Sequence, residues 1–176
     1  METEFGIKKL TKETWLQPDD AAKLFFRANP DGTISRLSGE DWIASLLVVE
    51  LPEKVPEDVR RLFAVARGAM AYGCFFYPLF TLGLEHSFRV LEAALTVKCQ
   101  QLGGRGKQKS WKDKLRLLVA QGAISDPEAA KWDAKREFRN LVCHPDFQQI
   151  LPPAVAIGIL TDCANLISLL FANHAD

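Results

Sequence analysis

The chain has 176 residues, 48% hydrophobic and 25% charged, and its 22 basic and 22 acidic side chains cancel to a formal net charge of zero. That length suits one domain with a small N-terminal extension, and the composition is that of an ordinary soluble globular protein. Zero net charge excludes a globally basic nucleic-acid binder, so any RNA site has to be a local patch.

Cys74, Cys99, Cys143 and Cys163 are widely spaced, with no C-x2-C or Cys/His ligand pattern. Neither a structural zinc site nor any other metal or cofactor is expected, and the cysteines read as reduced thiols in apolar helical surroundings. No basic segment followed by an apolar core opens the chain, so no signal peptide is expected and the reading is cytoplasmic. Ala69 to Leu84 is uncharged but short and interrupted by Pro78. Ala154 to Ala172 is apolar but carries Asp162 and Asn165 near its middle, and a central Asp costs about 2.5–3.5 kcal/mol on insertion. Both stretches are expected to be buried helices, with no membrane partner.

Residues 1–55 form the extension, partly helical. Asp19-Asp20 can start a short helix over Ala21–Ala28, and Asn29-Pro30-Asp31-Gly32 is a turn signal. Ser38 with Asp41 resembles a capping box ahead of Trp42, Ile43, Leu46 and Leu47 at helical spacing. Glu40 to Asp58 holds six acids and one lysine, either a solvated surface or a docking surface for a basic patch.

Residues 56–176 form the main domain. Pro56 with Glu57 and Asp58 suits a helix start, and Val59, Leu62, Phe63, Ala66 and Met70 mark the helix's apolar face. Pro78 opens a second, long helix that Gly103-Gly104 stop. Its Glu85, Arg89 and Glu92 can form an ion-pair ladder, or Glu85 or Arg89 can support a later helix. His86 reads as a structural histidine. Lys98 to Arg116 carries seven basic residues and one acid. Arg105, Lys107, Lys109, Trp111 and Lys112 make a candidate RNA surface, because basic groups attract phosphates and an indole can stack on a base. The alternative is an exposed loop with Trp111 tucked into the next helix. Ser110 and Asp113 cap the third helix, which ends at Gly122. Asp126-Pro127-Glu128 start the fourth and Pro152-Pro153 the fifth, whose apolar face is Ile157, Leu160, Ala164, Ile167 and Phe171. This density of apolar helical spacing with short connections predicts an all-α bundle of four to five core helices.

The fourth helix ends in Arg136-Glu137-Phe138-Arg139-Asn140-Leu141-Val142-Cys143-His144-Pro145. Ala134, Phe138 and Leu141 recur at helical period and are expected to face the core. Asn140 and His144 then fall on nearly one line opposite Phe138, with Arg136 and Arg139 beside it. Pro145 disfavours helical geometry at His144 and places it near the last turn.

Arg139, Asn140 and His144 resemble the Arg-x4–6-His signature of the HEPN domain superfamily, with a polar residue straight after the arginine. The likeness extends over about Ala69 to Phe171, through Leu84-Glu85-His86-Ser87-Phe88-Arg89-Val90-Leu91-Glu92, Trp111-Lys112-Asp113-Lys114-Leu115, the motif helix and a closing apolar helix. The resemblance implies a metal-independent endoribonuclease in which a ribose 2′-OH attacks the adjacent phosphate. It casts His144 as the group titrating near neutrality, Arg139 as the cation on the phosphorane, and Asn140 as a hydrogen-bonding partner to the His144 imidazole or to a phosphate oxygen. Arg136, Glu85 and Arg89 would support them. It further implies a homodimer with both motifs at the interface, RNA as substrate, and a toxin or anti-phage role with an antitoxin protein as a further partner. The runner-up reading is a non-catalytic HEPN module that binds RNA, a nucleotide or a protein. A third is an all-α dimerisation scaffold.

Overall fold

The computed structural model describes residues 8–104, 110–142 and 152–172. Among these the chain is mostly helical, with six α-helices and one two-stranded hairpin: β1 (Phe26–Ala28), β2 (Ile34–Arg36), α1 (Gly39–Leu47), α2 (Glu57–Ala71), α3 (Leu79–Gln101), α4 (Trp111–Ala120), α5 (Asp126–Val142) and α6 (Pro153–Leu170). The all-α expectation therefore holds for the bundle.

The beginning of the chain differs from expectation. A 3-10 helix covers only Asp20–Leu24, and the chain then enters the hairpin instead of staying helical to Ala28. Phe26 pairs with Arg36 and Ala28 with Ile34 across the anticipated turn, where Gly32 takes a φ of 81°. Phe25 ends the helix: its backbone is extended, at φ −90° and ψ 132°, and its carbonyl accepts from Leu37 N at 2.8 Å across the hairpin. The buried Asp19 caps the other end. Its carboxylate accepts from Ala21 N at 3.0 Å and from Tyr77 N at 2.8 Å, and its own N–H donates to the Cys74 carbonyl. The segment is thus stitched to the α2–α3 junction 58 residues away.

The capping box of Ser38 and Asp41 is formed at the start of α1. Trp42 is buried against Phe80, edge to face at 4.8 Å, and its indole N–H donates to the Met70 carbonyl at 3.1 Å. Through Trp42 and Leu46, α1 joins the same core as the later helices.

The core is organised on α3, whose 23 residues span about 34 Å. Buried on it are Phe80, Leu84, Phe88, Leu91, Ala94 and Leu95. The expected face of α2 is buried through Val59, Phe63, Ala66 and Met70, and that of α6 through Leu160, Ala164, Ile167 and Phe171. Gly83 sets the closeness of the α2–α3 crossing: a Cβ there would lie 2.6 Å from Met70 Cγ and 2.9 Å from the Ala66 carbonyl oxygen. Gly103, at φ 79°, ends α3 by letting Gly104 N reach back to the Cys99 carbonyl.

α5 begins one residue earlier in its cap than the Asp126-Pro127 pattern suggests. Ser125 N and Oγ both donate to the Glu128 carboxylate at 2.7 Å, so Ser125 supplies the cap. α6 is long and apolar enough to cross a membrane. Its buried face packs on α3, and Asp162 is ion-paired with Lys135 of α5 at 2.9 Å.

Candidate functional site

The site is built where α5 lies on α3. Phe138 stands edge to face on Phe88 with ring centroids 6.0 Å apart. One α3 turn beyond Phe88, the Glu92 carboxylate meets two cations. Arg139 Nη1 of α5 donates to one oxygen at 3.3 Å, and Lys114 Nζ of α4 donates to the other at 3.2 Å. Lys114 has a side chain only 9% exposed, while Glu92 and Arg139 are about a third to two-fifths exposed. The carboxylate thus pairs with a nearly buried ammonium and holds the motif arginine at the rim. Arg139 uses one of its five N–H donors in this contact, so others stay available to an anion arriving from solvent.

This placement overturns the expected facing of α5. Its buried residues are Trp132 and Val142, with Lys135, Arg136, Phe138 and Arg139 half-buried between them. Ala134 is exposed and Leu141 is 53% exposed, so they do not form a core stripe. The buried line runs 132, 135, 136, 139, 142, a helical spacing hidden by its charged members. Long aliphatic stems cover apolar surface while their heads find partners. Trp132 packs against Trp111 of α4 at 6.3 Å, and this pairing sets the rotation of the helix.

The same rotation separates the motif's polar groups. Asn140 is exposed on the outer side. Arg139 and Arg136 lie on the bundle side, contrary to the expectation that they share the outer face. Arg136 is tied to Asp133 at 2.5 Å and to Glu137 at 3.3 Å. The Asp133 bond holds the guanidinium still more firmly in its charged form, and the carboxyl is depressed in return, first by Arg136 and further by Lys112. His144 lies outside the described residues, as do Cys143, Arg105, Lys107 and Lys109.

The supporting residues are also reassigned. Among the described residues neither Glu85, half-buried, nor Arg89, exposed, forms an ion pair, and the expected ladder on α3 is replaced by the outward reach of Glu92. The Glu92–Lys114 pair was missed because nothing in sequence spacing joins positions 22 residues apart. The only signal was an acid and a lysine interrupting otherwise apolar helical faces. Trp111 is 4% exposed and leaves no free face for base stacking; the tucked alternative is the one found. Lys112 is exposed on the first turn of α4 and remains able to meet a phosphate.

His86 is half-buried on α3 and hydrogen-bonded with the Leu62 backbone. Burial, and then Arg89, push its pKa below the ordinary histidine value. The described cysteines are unpaired thiols: burial pushes Cys74 up to about 11 and Cys163 up to about 12, the range of inert sulfur. Among the described residues no three His, Cys, Asp or Glu side chains converge as a metal-binding group.

The fold and site define a helical bundle with an arginine held by carboxylate on a helix-helix seam. Comparison with protein-family models, with curated proteins and with solved structures found no match.

Proposed function

We propose that the chain is a metal-independent endoribonuclease of the HEPN type, working through Arg139, Asn140 and His144. One observation carries the reading: Arg139, on the last turn of α5, is brought onto α3 and held at the rim by Glu92, backed by the Lys114 ammonium. A guanidinium pre-oriented in this way can meet a phosphate without first paying for its own ordering. Its charge would stabilise the phosphorane formed when a 2′-OH attacks the neighbouring phosphate. His144, five residues further on in the sequence, would move the proton. Lys112, Arg105, Lys107 and Lys109 would track the strand by charge alone, with Trp111 no longer part of that surface.

A homodimer enclosing two motifs belongs to the same proposal. Leu141 beside the motif and Leu169 of α6 are each more than half exposed. A groove of about 380 Å³ runs between α5 and α6, lined by Ala134, Asn165 and Leu166 among others. These outward apolar groups suit a second copy. In the runner-up reading the same module binds RNA, a nucleotide or a protein without turnover.

The test is cleavage of structured RNA beside matched DNA in chelator, with wild type, His144→Ala and Arg139→Ala. RNA-only cleavage ending in 2′,3′-cyclic phosphate, lost in both variants, supports the proposal. Cleavage that survives both substitutions refutes the assignment of residues. Binding without cleavage across several RNA classes favours the module reading.

A further inference from the structure

A second feature lies at the other end of α3, about 20 Å from Glu92 by helix rise. A groove of about 550 Å³ opens between the hairpin, the first turn of α1 and the α2–α3 junction. Phe25, Leu37, Trp42, Ile43, Tyr72 and Phe75 form its walls. The volume is that of a small-molecule site, and the composition matches one: apolar walls with a few polar groups at the mouth.

The polar groups narrow the occupant. Arg36, Ser38 and Glu40 line the same groove. The Ser38 hydroxyl is committed to the capping box of α1. Arg36 is exposed and, among the described residues, has no ion pair, whereas Arg27, Arg61 and Arg67 each have a carboxylate partner. Its guanidinium is therefore available for a charge-assisted, two-pronged bond to a carboxylate. Glu40 at the same mouth limits the charge that can enter: one negative charge is matched by Arg36, and a second meets repulsion. Aromatic walls on several sides favour a flat body.

We infer that this groove binds a small aromatic monocarboxylate, its ring system between the aromatic walls and its carboxylate on Arg36. The inference is independent of the nuclease reading.

The test is calorimetric titration of the full chain with 2-naphthoate, 2-naphthol and 2-naphthyl phosphate. 2-Naphthoate should bind, and the neutral and dianionic analogues should bind about tenfold more weakly. Arg36→Gln should weaken 2-naphthoate about tenfold and leave 2-naphthol unchanged. Ile43→Trp should fill the groove and abolish binding. Gly39→Leu serves as a second filling variant, because a Cβ at Gly39 meets nothing within 4 Å, so a folded blocked protein is available even if Ile43→Trp misfolds. No binding of 2-naphthoate at millimolar concentration overturns the inference, as does binding indifferent to Arg36→Gln or to both filling variants. A wild-type dimer that both filling variants dissolve, without 2-naphthoate binding, would assign the groove to a second copy and overturn it equally.

Discussion

Replacing Glu92 by Gln keeps the shape of the side chain and removes the charge that two cations share. The Lys114 bond is the larger part. An ammonium whose side chain is 9% exposed loses its counter-ion, and a charge-assisted bond of that kind contributes about 1.5–3 kcal/mol. Glu92 is about a third exposed, so solvent screening reduces this to about 1–2 kcal/mol. The Arg139 bond, at 3.3 Å with the guanidinium 40% exposed, should contribute less than about 0.5 kcal/mol. Glu92→Gln is thus expected to cost roughly 2 kcal/mol and lower the Tm by roughly 4–8 °C for a chain of this size. Urea unfolding of Glu92→Gln, Lys114→Met and the double variant isolates the pair, with a coupling of about 1–2 kcal/mol. The matching cycle with Arg139→Gln should give a coupling below about 0.5 kcal/mol. A Lys114 coupling near zero, or an Arg139 coupling larger than the Lys114 one, would refute the reasoning that burial ranks the two bonds.

Two glycine substitutions should have opposite signs. Gly83→Ala drives a methyl against the Ala66 carbonyl, backbone that cannot yield, and should destabilise by about 1–3 kcal/mol. Gly68→Ala, inside α2 with nothing within 4 Å of the new Cβ, should stabilise by about 0.5–1 kcal/mol; equal effects in thermal unfolding would contradict the packing account. His86, harder to protonate folded than unfolded, should withdraw stability as pH falls from about 6.5 through its lowered folded value. Urea midpoints at pH 7.5 and 5.5 should diverge more for wild type than for His86→Gln, and parallel behaviour of the two would rule the histidine out as the cause. The lowered carboxyls at Glu13, Asp31, Asp41, Asp113, Glu128 and Asp133 contribute at neutral pH and lose that contribution only at more acid pH, so they leave this window clear.

Charge reversal of the basic stretch now divides into two experiments. Lys112 is exposed and can be reversed to probe RNA contact. Lys114 is nearly buried and paired with Glu92, and its reversal would unfold the seam and mimic loss of binding.

Most of the helices were legible from local chemistry. The Ser38–Asp41 and Ser110–Asp113 caps, the Gly103 and Gly122 stops and the apolar faces of α2 and α6 each depend on residues within a few positions of one another. A period of 3.6 and a capping hydroxyl act at short range and leave their mark in the order of residues. The start of the hairpin was not legible, because Phe25 leaves the 3-10 helix in an extended conformation and takes its partner from Leu37, a bond made only once the hairpin has closed. Nor was the facing of α5. An apolar count assigns Ala134 and Leu141 to the core, yet the Trp132–Trp111 packing turns the helix so that charged stems are covered instead and Arg139 is brought to Glu92. Helix identity is a sum of local preferences, so the sequence alone determines it. Helix rotation is decided by which partner surface is offered, and the partners of α5 lie on α3 and α4, where only the assembled bundle brings a carboxylate and an indole within reach.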